Sequence, residues 1–122
     1  MTTQNREPPA FQEYAAAMLA RREFRSMTLA ERGLFHTIRL ECWVNLTVPS
    51  DPALLAQFLG QPEGDVRAAL PAVMPFFSVA GDDLFCPELD DYRAYRARIR
   101  REQVKSAEAT NRKLKKRGKA LE

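Results

Sequence analysis

Leu34, Phe35, Ile38 and Cys42 recur at i, i+1, i+4 and i+8, which lays one apolar stripe along an α-helix. Thr28 followed by Glu31 marks its start as a capping box, each side chain answering an amide that the first turn leaves unpaired. The spacing predicts a helix over 28–43, ending at Trp43 as a core anchor, with Arg32, His36 and Arg39 outside the stripe. Gly33 in its interior costs ~1 kcal/mol against alanine and points to close packing against a neighbour. Upstream, AFQEYAAAMLARREF (10–24) has high helix propensity. Phe11, Tyr14, Met18 and Leu19 give it a weaker stripe.

Downstream the pattern shortens. NLTVP (45–49) is β-prone and is stopped by Pro49. Asp51-Pro52 supplies an N-cap and a first-turn proline for ALLAQFL, and Gly60 stops it, so a helix is expected over 52–59. Gln61-Pro62 opens a further helix over 62–70, which Pro71 should end or kink. Two short helices across a glycine turn form a helix-turn-helix pattern. Leu54, Leu55, Phe58, Leu59, Val66, Ala69 and Leu70 are expected to close its core. FFSV and LFC around AGDD read as a hairpin pairing 76–79 with 84–86, to which NLTV can add a third strand. From Pro87 a last helix begins, with Glu88, Asp90 and Asp91 at its positive end and Leu89, Tyr92, Tyr95 and Ile99 as its stripe. Past Arg101 the stripe fails and fraying or disorder is expected. The resulting architecture is mainly α with a small β hairpin or sheet: a winged helix-turn-helix over 10–101, an added N-terminal helix, a loose arm over 1–9 and a basic tail over 102–122.

Charge changes the picture more than composition does. The 122 residues are 45% hydrophobic and 29% charged, as in an ordinary single folded domain. No apolar run approaches a membrane span, and the first residues, MTTQNREPPA, have no secretory character. Cys42 and Cys86 form no CxxC pair, so a reducing, cytoplasmic setting is the expectation. A membrane protein, a disulfide scaffold and a large multidomain enzyme are thereby excluded. The net charge of +3 conceals a partition. Residues 1–92 hold seven Lys and Arg against thirteen Asp and Glu, whereas residues 93–122 hold twelve against three. An acidic body with a basic tail is the footprint of a polyanion-binding protein; a merely solubilising terminus is the plainer alternative.

The run MTLAERGLFHTIRLECW, then DPALLAQFLG, VRAALPAVMPFF, a Gly-Asp hairpin and CPELDDYRAYRARI resembles the YdaU-type prophage proteins, over about residues 11–100. The resemblance implies a winged-helix fold and a role near phage DNA replication, and it carries no catalytic residue. Members of that family often continue into a long second region. The sequence ends at Glu122, so a separate helicase-loading domain is not expected.

Candidate chemistry is sparse. His36 is the only histidine, and the cysteines lie on separate elements, so zinc lacks a ligand set. Asp82-Asp83 and Asp90-Asp91 read as a turn and a helix start rather than a carboxylate site. No phosphate loop, GxSxG or HExxH occurs, so neither catalytic activity nor a cofactor, metal, membrane or small-molecule substrate is expected. In the second helix of the helix-turn-helix, only Arg67 offers a bidentate guanine contact, and Glu63 and Asp65 would oppose phosphate. The nucleic-acid contacts expected are therefore Arg67 together with Arg96, Arg100, Arg101, Lys105, Arg112, Lys113, Lys115, Lys116 and Arg117, aimed mostly at phosphate. Arg21, Arg22, Arg25, Arg32, Arg39 and the tail from Arg93 onward could assist, although Arg32 and Arg39 read more simply as solvated helix faces. Tyr92 and Tyr95 are expected to pack on the domain rather than stack on bases. The reading is a DNA-binding phage or prophage protein linked to replication. The alternatives are an interaction module docking on a replication protein, or a phage transcription regulator.

Overall fold

The structure, a computed structural model, describes residues 9–121, with side chains to Gly118. Apart from Pro9, the arm expected over 1–9 lies outside the described residues. The chain is mainly helical, in the order α1 (Ala15–Ala20), α2 (Arg22–Arg25), α3 (Leu29–Asn45), β1 (Val48–Pro49), α4 (Pro52–Leu59), α5 (Glu63–Val73), a 3-10 turn Met74–Phe76, β2 (Ser78–Ala80), β3 (Asp83–Phe85) and α6 (Pro87–Leu121). Among the described residues no helix is long and apolar enough to cross a membrane.

α3 organises the fold. The Thr28–Glu31 box is formed in both directions, at 3.1 Å and 2.7 Å. Leu34, Phe35, Ile38 and Cys42 are all buried, and α3 packs against α5, β1 and α6. Phe35 lies at the centre of an aromatic cluster, with ring centroids 4.5 Å from Phe76, 5.8 Å from Phe24 and 5.9 Å from Phe77. Such edge and tilted contacts add to the burial of each ring. The helix ends at Leu46, which adopts φ 73°, an uncommon conformation for a bulky side chain, and donates its amide to the Cys42 carbonyl at 2.9 Å.

α4 has the Asp51 cap and the left-handed Gly60 stop that its sequence specifies, the Asp51 carboxylate accepting the Leu54 amide at 3.1 Å. Its buried face is Leu55 and Ala56. Leu54 and Phe58, expected in the core, lie one turn apart on the exposed side, since a helix of eight residues offers one stripe to the domain. α5 carries Pro71 in its interior and runs on to Val73 rather than ending. Pro71 is exposed, as is Arg67 one turn back, whose carbonyl the proline leaves without its helical donor.

The three strands form an antiparallel sheet in the order β1-β3-β2. The hairpin pairs Ser78 with Phe85, Val79 with Leu84 and Ala80 with Asp83. The expected strand start at Phe76 is displaced because the 3-10 turn seats Phe76 against Phe35 instead. β1 completes the sheet through Val48 opposite Leu84.

Two expectations at the ends of the chain are corrected. The first helix breaks at Arg21, which turns extended, with φ −78° and ψ 127°. Its guanidinium pairs with Glu88 and lies 4.2 Å from the centre of the Phe76 ring, so tertiary contacts outweigh local helix propensity. Met18 is buried, Phe11 is half-buried, and Tyr14 and Leu19 are exposed. At the other end α6 runs unbroken to Leu121, through the stretch expected to fray. Arg, Lys, Glu, Gln and Ala dominate that stretch, and all are good helix formers.

Candidate nucleic-acid interface

Most cations of the body are engaged in holding the fold. Arg39, expected on a solvated face, is only 2% exposed. It reaches Glu13 at 3.0 Å and Glu88 at 3.5 Å, and its guanidinium lies 5.4 Å and 5.2 Å from the ring centres of Phe11 and Phe35. Arg32 is half-buried over Phe24 at 4.4 Å, and Arg25 donates to the Leu19 carbonyl at 2.7 Å. Arg93 caps the end of α3, donating to the Trp43 carbonyl at 2.8 Å while paired with Asp90 and stacked over the Trp43 ring at 4.5 Å. These arginines use stem, plane and charge together, as amphipathic side chains do at domain edges.

Arg67 stands exposed on α5, paired with Glu63 at 2.6 Å. That carboxylate hydrogen bond raises the guanidinium pKa further above its ordinary value. To reach a base edge, Arg67 would first have to leave Glu63, and Asp65 stands two residues before it.

α6 is different. Its first turns dock on the core through buried Leu89 and through Tyr92, whose ring lies 5.9 Å from Trp43, while half-buried Ile99 shares a hollow with Pro9. Tyr95, expected to pack, is exposed under Arg98, whose guanidinium is 5.6 Å from the ring centre. From Arg100 to Gly118 every residue is exposed. At about 100° per residue, Arg98, Arg101, Lys105, Arg112 and Lys116 fall within an arc of about 60°, on the side opposite the Leu89–Tyr92 docking face. The row spans about 27 Å of helix axis. Among the described residues none of these five enters an ion pair.

Of the residues expected from sequence, Arg101, Lys105, Arg112 and Lys116 are thus brought into one row. Lys113 and Lys115 flank it, Arg96, Arg100 and Arg117 lie toward the docking side, and Arg67 belongs to another helix. Arg98, expected only as part of the basic tail and not as a named contact, joins the row through its i, i+3, i+7 spacing with Arg101 and Lys105. Among the described residues no group of three or more His, Cys, Asp or Glu is gathered as for a metal ion. Cys42 and Cys86 are both buried free thiols. Burial, with the nearby Cys86 second, pushes Cys42 up to about 12, and burial raises Cys86 too. Compared with known proteins, the chain matches no family model, no curated protein and no solved structure.

Proposed function

We propose that this chain is a non-enzymatic, winged-helix-like DNA-binding protein whose affinity comes from α6. The observation that carries the reading is the row Arg98, Arg101, Lys105, Arg112 and Lys116, exposed, without an ion pair among the described residues and turned away from the domain. A row of cations on a rigid rod suits a line of phosphates and carries no base readout of its own. The order α3, α4, α5, hairpin, with β1 as third strand, supports the winged-helix assignment. The resemblance to YdaU-type proteins supports a place in phage DNA replication. The acidic start of α5 favours a second reading, an interaction module that docks its body on a replication protein.

Fluorescence anisotropy on random-sequence duplex and single-stranded DNA separates the contributions. Arg67→Gln should leave non-specific affinity within about twofold, because Glu63 already holds that guanidinium. The triple variant Lys105→Gln, Arg112→Gln, Lys116→Gln should weaken it by about tenfold or more at low salt. The reverse ranking would move the contact to α5. Loss in neither variant would leave the docking reading in front.

A further inference from the structure

Among the described residues nothing packs close enough to Gly33 to require a glycine there. It lies in the interior of α3, is exposed, and a Cβ built on it meets nothing within 4 Å. The close packing that its presence in a helix suggested is absent, yet alanine would favour the helix by ~1 kcal/mol. Gly33 lines a groove of ≈ 610 Å³ between α3 and α5. The floor includes buried Leu34 and Val66, Ala68 lines the groove on the second helix, and one carboxylate stands on each wall, Glu31 on α3, one of whose oxygens accepts the Thr28 amide, and Asp65 on α5. Small residues on facing walls let another backbone approach closely, and the paired acids select a basic visitor.

The far part of α6 has the complementary form. Val104, Ala107 and Leu114 share a face, with Val104 and Leu114 exposed at 49% and 57%. Arg101 and Lys115 border that face on one side and Arg117 on the other. From Arg100 to Gly118 this helix is exposed among the described residues, with Pro9 alone lining a shared hollow beside its Arg101–Glu108 stretch, whereas helices in proteins owe most of their stability to tertiary packing. The two surfaces also carry the two halves of the charge partition, an acidic body and a basic tail.

We propose that the α3–α5 groove receives the basic helix of a second copy, with the Val104–Leu114 face on its floor and the flanking cations against Glu31 and Asp65. Gly33 is then the point where the two helices come closest. The contact joins unlike surfaces, a groove and a rod, so each copy carries both a donor and an acceptor surface.

Sedimentation of the full chain, freed of nucleic acid, tests this without reference to the DNA reading. Mass should rise with concentration at about 50 mM salt and fall back at about 500 mM, where surface charges are screened. Gly33→Leu fills the groove from a position with open space around it, and leucine is a strong helix former, so the fold is kept. It should weaken the association about tenfold, as should Leu114→Glu on the rod. Asp65→Lys should do the same by placing like charge against Lys115 and Arg101. Melting of each variant at or above the native temperature, followed by circular dichroism, shows that the domain is intact. A single monomer mass at every concentration in low salt overturns the proposal. So does an association that Gly33→Leu and Leu114→Glu leave at full strength.

Discussion

Arg39 shows how a charged residue becomes part of a core. Its two carboxylate partners remain partly exposed, so water can solvate them when the guanidinium is removed. The stem and planar head, by contrast, fill the space between Phe11 and Phe35. Packing therefore outweighs pairing. Arg39→Ala should cost about 2–4 kcal/mol in urea unfolding, and Arg39→Met less than about 1.5, because the volume is kept and no buried charge is orphaned. Equal losses in the two would make the ion pairs the dominant contribution. Cys42 makes a second residue-level case. Its folded pKa of about 12 lies above the ordinary thiol value of 9.0, so the native state holds the proton more tightly. The stability this confers is fully present below pH 9 and is lost as pH rises from there toward 12. The slope is on the order of 1 kcal/mol per pH unit. Cys42→Ser or Cys42→Ala should flatten that part of the pH–stability curve, and native-state thiol modification of Cys42 should be slow at pH 8.

At the scale of elements, two glycines separate local from tertiary causes. Gly60 ends α4 at φ 68°, a conformation alanine takes only with strain. Gly33 sits in regular helix with free space around it. Gly60→Ala should lower the stability of the isolated chain by about 1 kcal/mol or more, and Gly33→Ala should raise it by about as much, in thermal melts run side by side. What the sequence makes legible here is what neighbours along the chain decide. The Thr28–Glu31 box, the Asp51 cap, the Gly60 stop and the α3 stripe all arise within a few residues of one another. The break at Arg21 was not legible, because Glu88 and Phe76 lie more than fifty residues away. The burial of Arg39 was hidden for the same reason, since Glu13 and Glu88 flank it from opposite ends of the chain. The exposure of Leu54 and Phe58 followed from which stripe of a two-turn helix met β1 and α5, and composition does not reveal that. Much of the candidate interface could be read, because a row of cations on one helix depends on spacing alone.

For the whole molecule, the division of charge is the organising fact. The body uses Arg21, Arg25, Arg32, Arg39 and Arg93 as struts, and Arg67 is taken up by Glu63. Among the described residues, the cations left facing solvent without an ion pair include the α6 row. If phosphate binds on this exposed rod rather than on α5, the affinity should follow counterion release. The most direct measurement is the slope of log affinity against log salt on duplex DNA, for the native chain and for the triple variant Lys105→Gln, Arg112→Gln, Lys116→Gln. If each of the three residues neutralises one phosphate, the slope should shrink by about 2.7 on duplex and by about 2.1 on single strands. Helix content should stay the same, because all three side chains are exposed. Equal affinity and equal slope for the two proteins would contradict the assignment of DNA binding to α6.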